Sequence, residues 1–258
     1  MFSPADSAQT LPLWASTISF TFRPVFILLI LINILNTDLF RVLFIIMTKS
    51  ERISKKILKQ IEVWKKDHAK LIVAIDGYAG SGKTTVGNFI AKHDKDVLLI
   101  HLDDFIKHRK VRKQLIEKTK DKSKVFEYHW YRYDDLERLI KAFLSGKKSI
   151  KLKTYKYEKN NFGSKQSFDL SKKVLIIDGI FLFHPKHSIT KLIHKKIYLD
   201  TDFTKADKKR IAREKKRWGK NYLPDDHPDN WVKYFKQAYK KYIEKYSPGE
   251  NADLLFKI

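Results

Sequence analysis

The chain has 258 residues, with 53 lysines and arginines against 29 aspartates and glutamates, and no cysteine. The net charge of +24 suggests a nucleic-acid or anionic-surface partner, although lysines spread along the whole chain also fit an ordinary solvated surface. The missing cysteines exclude disulfides, thiolate metal sites and a cysteine nucleophile, which fits a reducing cytosol. Hydrophobic residues make up 43% of the chain, so a sizeable core is expected rather than global disorder.

The first 46 residues differ in kind from the rest. They contain no lysine, and the run 25–35 (VFILLILINIL) is almost wholly apolar. A membrane-spanning helix needs about 20 apolar residues, and a window extended to Met47 takes in Asp38 and Arg41. Each of these charges costs roughly 2.5–3.5 kcal/mol near a helix centre, so the segment makes a poor transmembrane helix.

Three interpretations of this segment stay open. Residues 20–47 would attach the chain to a membrane if they form a span. A secretory signal is disfavoured because no small-residue cleavage site follows the apolar run. The abrupt change of composition at Met47 favours the third interpretation, in which Met47 is the true start. We therefore expect an apolar extension over 1–46 and one main domain over 47–258.

From Thr48 onward the pattern is that of a soluble domain. Ser50 is placed to cap a helix whose apolar residues recur at helical spacing, namely Ile53, Ile57, Ile61 and Trp64. Short apolar runs suited to buried parallel strands occur at 71–75, 96–102, 174–177, 197–199 and 254–256. Helical stretches between several of these runs predict an α/β fold with a mainly parallel central sheet flanked by helices.

A glycine cluster follows the first predicted strand. It matches the P-loop pattern of Gly, four residues and Gly-Lys-Ser/Thr, with the residues Gly77, Tyr78, Ala79, Gly80, Ser81, Gly82, Lys83 and Thr84, and Thr85 next. Glycines let backbone N–H groups converge on phosphate oxygens, and the following helix aims its positive N-terminus at the same anion. The alternative, a glycine-rich turn without function, is disfavoured by the strand before it and the helix after it.

The P-loop predicts ATP and Mg²⁺ as cofactors. Lys83 would reach the β- and γ-phosphates, and the Thr84 hydroxyl would bind Mg²⁺. We expect the Lys83 side chain to be solvated until phosphate arrives.

Carboxylates follow two further predicted strands. Asp103 and Asp104 end the second strand, and Asp178 ends the third. Ligands bind at the carboxyl ends of parallel strands, so one of the pair is placed to accept a proton from an acceptor hydroxyl, and Asp178 to help hold Mg²⁺. Alternatively, Asp104 caps the next segment and Asp103 is merely exposed.

Four features, in order, resemble the uridine kinase, nicotinamide riboside kinase and phosphoribulokinase group of P-loop kinases. They are IDGYAGSGKTT, LDDFI, IIDGIFLFHP, and YLDTD followed by KRIAREKKRWGK. The resemblance implies that Asp103 is the catalytic base and a Mg²⁺ ligand with Thr84 and Asp178. It also implies that Arg210 and Arg213 are catalytic arginines on a lid helix spanning 204–218.

The implied fold is that of a P-loop NTPase with a lid helix and a small substrate-side β-hairpin, and the implied reaction is direct phosphoryl transfer. Two positions depart from the family pattern, since Ile106 replaces an aromatic residue and Asp178 replaces a glutamate. The lysine-rich stretch 107–133, where such kinases shape the acceptor pocket, does not identify a particular member of the group. The sequence therefore leaves the acceptor open, whereas the phosphate-binding residues follow the family pattern.

The resemblance favours a ribonucleoside acceptor, uridine or cytidine first, phosphorylated at its 5′-hydroxyl. Tyr131, Tyr133 or Tyr157 would stack on the base, and Arg132 or Asp104 would bond to the ribose. Equally, these aromatic residues could cover the sheet edge, and the lysines between 107 and 124 could bind a phosphorylated acceptor. Pantothenate, glycerate and sugar phosphates are the alternative acceptors.

Two further elements are expected. Residues 155–157 precede a turn at 160–163 and a return strand at 167–170, which together form the hairpin. The aromatic and apolar residues near the C-terminus recur at helical spacing and predict core packing rather than a stacking platform, namely Trp231, Phe235, Ala238, Tyr239, Tyr242 and Tyr246.

Two other classes of function stay open. A nucleic-acid-binding P-loop ATPase would account for the charge, and a membrane-tethered regulatory ATPase would use the apolar N-terminus. We expect instead a cytoplasmic kinase with a small-molecule partner, no specific nucleic acid, and membrane association only through residues 20–47.

Overall fold

The structure, a computed structural model, describes residues 47–156 and 161–258. The expected N-terminal extension, 1–46, and Tyr157 lie outside the described residues. The described elements, in chain order, are α1 (Lys49–Trp64), β1 (Leu71–Gly77), α2 (Lys83–His93), β2 (Val97–His101), α3 (Arg109–Lys118), α4 (Tyr133–Leu144), β3 (Ser149–Lys156), β4 (Asn161–Asp169), β5 (Val174–Gly179), β6 (Lys195–Asp200), α5 (Phe203–Trp218), α6 (Val232–Tyr246) and β7 (Leu254–Lys257).

Five parallel strands form the central sheet in the order β2–β5–β1–β6–β7. All five match the apolar runs in the sequence, so the predicted α/β fold with a mainly parallel sheet is confirmed. β1 lies at the centre between β5 and β6, which accounts for its complete burial. The carboxyl ends of β1, β2 and β5 therefore meet at one edge, where the P-loop and both carboxylate segments emerge.

The two faces of the sheet follow from the alternation of side chains along each strand. On one face, Leu71, Val73 and Ile75 pack in a cluster with the apolar stripes of α1 and α2. The predicted stripe of α1 is buried, and burying each such side chain contributes roughly 1.5–3 kcal/mol. The helix begins at Lys49, so Ser50 lies in its first turn and does not cap it.

The opposite face carries the larger core. Ile72 and Ala74 of β1 pack there with α4 and α6. The predicted core role of the C-terminal aromatics is confirmed, because Phe235, Tyr239 and Tyr242 are buried on α6.

The hairpin β3–β4 is antiparallel, as predicted, but its second strand begins earlier than expected, at Asn161. Lys156 pairs with Asn161, and Tyr155 pairs with Phe162. The predicted turn residues 161–163 therefore belong to β4, because the polar residues that suggested a turn continue into an exposed strand.

The lysine-rich stretch after Asp104 has structure that its sequence did not indicate. It forms α3 and a single π-helical turn at Val125–His129. Within the described parts of the chain, no helix combines the length and apolar content that crossing a bilayer requires.

Candidate active site

The P-loop glycines are required by close backbone approach. Gly80 and Gly82 adopt φ values of 89° and 91°, which residues with a Cβ rarely reach. A Cβ on Gly80 would lie 2.3 Å from the carbonyl oxygen of Ala206, at the start of α5. The loop therefore packs directly against the lid helix, and α2 begins at Lys83 with its N-terminus open to an anion.

Lys83 corrects our expectation of a solvated side chain. It is 9% exposed, and its Nζ donates to the carbonyls of Gly77 (2.7 Å) and Tyr78 (2.8 Å). Burial lowers the pKa of Lys83, against the opposing charges of Asp76, Asp178 and Asp103. In this structure the lysine therefore binds the loop's own carbonyls, and three nearby carboxylates favour its charged form.

Thr84 and Thr85 occupy the first turn of α2 and are both exposed. Ser81 is buried instead, and its N–H donates to the Tyr78 carbonyl (3.1 Å). Thr84 is thus the P-loop hydroxyl that remains open to a cation.

Asp103 lies in a short 3₁₀ turn, Leu102–Phe105, directly after β2. Its Oδ1 accepts a hydrogen bond from the Tyr131 hydroxyl (3.3 Å). Partial removal from water raises the pKa of Asp103, and so does the charge of Asp178, while Lys83 and Arg213 oppose the rise. Asp103 is only partly removed from water, since the residue is exposed at the surface. An exposed carboxylate with a raised pKa suits a general base.

Asp178 lies across from this turn and is nearly buried. The parallel pairing of β2 and β5 sets it opposite His101, whose Nδ1 lies 2.9 Å from its Oδ1. Its Oδ2 is buried and has no hydrogen-bond partner among the described residues. Asp104 is half-buried, and its pKa is raised first by desolvation, with His101 and Lys156 opposing.

The site residues fit Mg²⁺. Thr84, Asp103 and Asp178 supply hydroxyl and carboxylate oxygens, the ligands this ion prefers, and the unpartnered Oδ2 of Asp178 is a ligand atom without a competitor. In the described ranges no group of three or more His, Cys, Asp or Glu side chains could hold a metal alone. Mg²⁺ commonly binds through one or two carboxylates together with substrate phosphates, so this finding agrees with the assignment.

The two predicted lid arginines have different surroundings. Arg210 is 2% exposed and is bound by the carboxylates of Asp207, Glu214 and Asp225. Its charge is neutralised by these carboxylates in this structure, which favours a structural role, and its catalytic role stays a prediction. Arg213 is exposed, and its charge acts on both Lys83 and Asp103.

The predicted acceptor contacts also change. Tyr131 is 4% exposed and supports Asp103, so its ring is not open for stacking on a base. Tyr133 stacks on His187 with ring centroids 4.0 Å apart. Arg132 donates to the carbonyls of Lys153 (2.7 Å) and Asp104 (3.2 Å) and pairs with Asp135. Arg132 therefore joins the hairpin to the Asp103 turn in this structure, and its contact with an acceptor stays a prediction.

Sequence analysis missed Asp76, the residue before the P-loop. It is fully buried at the end of β1, and it accepts hydrogen bonds from the N–H of Gly77 (2.6 Å), the N–H of Leu182 (2.9 Å) and the Tyr242 hydroxyl (2.7 Å). Burial raises the pKa of Asp76 to about 6, against the Tyr242 bond and the Lys83 charge. Its position, as a charged residue at the end of an otherwise apolar strand, was the feature of the sequence that could have indicated a role for Asp76.

The fold and this site define a P-loop kinase. The sequence profile of the Phosphoribulokinase / Uridine kinase family matches residues 72–258, and the chain belongs to that family.

Individual relatives are distant. A uridine kinase from Streptococcus pneumoniae is 26% identical over 176 residues, which cover 67% of this chain and 80% of that protein. A solved structure described as a possible uridine kinase from Bacillus stearothermophilus has a TM-score of 0.55 at 20% identity, over 78% of this chain and 99% of that one. D-glycerate 3-kinase from Cryptococcus neoformans has a TM-score of 0.56 at 14% identity, over 73% and 87% of the two chains. The two solved structures support the fold alone.

Proposed function

We propose that the protein transfers the γ-phosphoryl group of ATP to an alcohol group of a small molecule. The observation that carries this proposal is the position of Asp103 within the electrostatic influence of Lys83 and Arg213. Its pKa is raised, and the charges of Lys83 and Arg213 oppose that rise. A carboxylate at this edge of the sheet suits deprotonation of an acceptor hydroxyl beside bound triphosphate.

In the proposed reaction, the acceptor oxygen attacks the γ-phosphorus, the bond to the ADP oxygen breaks, and the acceptor proton passes to Asp103. Lys83 exchanges its two loop carbonyls for phosphate oxygens, and Arg213 neutralises charge from the lid side. Mg²⁺, held by Thr84, Asp103 and Asp178, would add positive charge at the β- and γ-phosphates. The lid helix α5 excludes water, which limits hydrolysis.

For the acceptor we propose a ribonucleoside, with uridine and cytidine first, phosphorylated at the 5′-hydroxyl. Family membership and the uridine kinase relative support this choice. The expected stacking of aromatic rings on a base gives this choice less support than the sequence suggested, because Tyr131 is buried and Tyr157 lies outside the described residues. Pantothenate, glycerate and sugar phosphates therefore belong in the same test.

The test is an ATP-consumption screen of the purified protein against these acceptors, with Asp103→Asn as the matched control. We expect one acceptor to raise ATP consumption in the wild type alone. If uridine, cytidine and nicotinamide riboside fail at millimolar concentration while a sugar phosphate or organic acid succeeds, the nucleoside proposal falls and the kinase proposal stands. Failure of every acceptor, together with tight RNA binding at physiological salt, would favour the nucleic-acid-binding ATPase.

We further propose that residues 47–258 form the kinase domain and act in the cytoplasm, without a specific nucleic-acid partner. Membrane fractionation of the natively expressed chain tests the location, and peptides from upstream of Met47 would contradict a start at that residue.

A further inference from the structure

The proposed reaction uses Asp178 as a Mg²⁺ ligand but gives no role to His101, which contacts it. The two residues close the ladder between β2 and β5, where His101 is paired with Asp178 at the carboxyl ends of the strands. An ionised carboxylate only accepts hydrogen bonds, so Nδ1 of His101 is the donor across the 2.9 Å contact to Oδ1.

The two oxygens of Asp178 have unequal surroundings. His101 occupies Oδ1, whereas Oδ2 is buried without a partner among the described residues. A buried oxygen without a hydrogen-bond partner is unfavourable, so it calls for a ligand or another explanation. The side chain of Asp178 is only 5% exposed, whereas that of His101 is 33% exposed.

The free oxygen faces the P-loop helix. A Cβ built on Gly87 would lie 3.6 Å from Oδ2, and Gly87 is one turn beyond Lys83 on α2. The same helix carries the exposed Thr84 in its first turn. Thus Oδ2 is directed toward the element that would present the hydroxyl ligand and the phosphates.

We propose that His101 is a positioning residue that holds Asp178 by Oδ1 and thereby presents Oδ2 to the Mg²⁺ of bound ATP. The inference rests on the proposed function. With Oδ1 held, the carboxylate does not rotate away when the site is empty, and the ligand is preorganised. Removing such a hydrogen bond to a metal ligand typically weakens metal binding 10–100-fold.

The test is Mn²⁺ binding, followed by electron paramagnetic resonance, to the full chain saturated with a non-hydrolysable ATP analogue. We expect His101→Ala to weaken Mn²⁺ binding 10–100-fold. His101→Asn should restore affinity to within about threefold, because its amide nitrogen lies near the position of Nδ1, and His101→Gln should not, because its donor lies one bond further out. His93→Ala, an exposed histidine on α2, should bind Mn²⁺ like the wild type.

Asp178→Ala separates failure of this proposal from failure of the proposed function. Weaker Mn²⁺ binding in Asp178→Ala with wild-type binding in His101→Ala would overturn the role of His101 and leave the metal site standing. Wild-type binding in both would overturn the metal assignment and this inference with it. If His101→Ala does not fold, equal Mn²⁺ affinity of the Asn and Gln variants would overturn the proposal, because only Asn keeps the donor in place.

Discussion

Asp103 and Asp104 are adjacent in sequence, yet they occupy different environments. The Asp103 carboxylate accepts a hydrogen bond from the Tyr131 hydroxyl, and the charges of Lys83 and Arg213 oppose the rise in its pKa. For Asp104, the charges of His101 and Lys156 oppose the rise in pKa. We therefore propose that Asp103 rather than Asp104 faces the transferred phosphoryl group. The assignment of the base depends on this difference.

We expect Asp103→Asn to retain ATP binding and lose phosphoryl transfer by roughly 10²- to 10⁴-fold, because an amide cannot take the acceptor proton. Asp104→Asn should be the milder change. Steady-state kinetics with the acceptor found in the screen, alongside nucleotide binding, checks both variants. If Asp104→Asn is the more damaging, the base is the second aspartate.

Lys83 binds two carbonyls of the P-loop in this structure, and we expect it to bind phosphate during catalysis. Lys83→Ala should abolish ATP turnover, because removal of one charge clamp typically costs 10²- to 10³-fold or more. It should also lower the stability of the ligand-free protein by about 1–3 kcal/mol, because the carbonyls of Gly77 and Tyr78 lose their donor. Urea unfolding and ATP turnover measure the two effects, with the exposed Lys92→Ala as control. Unchanged turnover in the folded variant would refute the P-loop assignment.

At the scale of elements, the lid helix α5 is fastened to the P-loop at its first two turns. Tyr78 of the loop donates to Asp207 (3.1 Å), and Asp207 in turn accepts from Arg210 (3.0 Å). Lys236 of α6 joins the same carboxylates, with its Nζ 2.7 Å from Asp207 and 3.0 Å from Asp225. The start of the lid is therefore anchored, and Arg213 lies one turn further along the helix.

This arrangement predicts that substitutions of the two lid arginines have different effects, one on turnover and the other on stability. Arg213→Ala should reduce turnover by roughly 10²-fold with stability unchanged within about 0.5 kcal/mol, because it removes an exposed charge near the phosphates. Arg210→Met should destabilise the protein by roughly 3–5 kcal/mol, because three carboxylates lose their buried partner.

Thermal unfolding and kcat measured side by side distinguish the two arginines, with the exposed Lys208→Ala as control. A stable Arg210→Met protein that binds ATP normally and has lost turnover would restore the catalytic role that the sequence indicated.

At the scale of the whole molecule, Asp76 joins three distant segments. It ends β1, and it binds the backbone at Leu182 and the hydroxyl of Tyr242 on α6. The same hydroxyl accepts from the Phe183 N–H (3.2 Å). The P-loop strand, the segment after β5 and the C-terminal helix are thus held by one buried carboxyl, whose charge is disfavoured in the folded state.

Folding raises the pKa of Asp76 from 3.8 to about 6. Ionisation of Asp76 therefore makes the folded state less stable, whereas ionisation of a carboxylate whose pKa is lowered on folding makes it more stable. Below pH 4 the carboxyl is protonated whether the chain is folded or unfolded, and its contribution to stability is fully present. Between pH 4 and 6 the unfolded chain loses this proton first, so stability falls as pH rises, by about 3 kcal/mol in total.

Urea unfolding of wild type and Asp76→Asn at several pH values from 4 to 7 isolates this contribution, because the other titrating groups are common to both proteins. The stability of the wild type should fall relative to the variant across this range. Parallel curves would show that Asp76 does not titrate there.

Much of the fold could be predicted because its signals are local. The five strands and the apolar stripe of α1 follow from spacing within a few residues, and they appear where expected. A helix also lies where the family resemblance implied the lid helix. The hairpin turn and α3 could not be located, since polar and lysine-rich residues suit exposed strand, turn and helix alike. For such segments pairing and packing against the rest of the chain decide the structure.

The P-loop, the family and the acidic strand ends could be recognised from the sequence, because each depends on neighbours along the chain. The folded chain alone shows that three carboxylates surround Arg210 while Arg213 stays exposed. It also shows that the Tyr131 hydroxyl binds Asp103 and that His101 pairs with Asp178. These outcomes depend on side chains from separate elements, whose approach is set by sheet order and by packing across both faces of the sheet. A buried charge acquires its partners only when those elements meet, so the role of each ionisable residue in this site is a property of the folded chain.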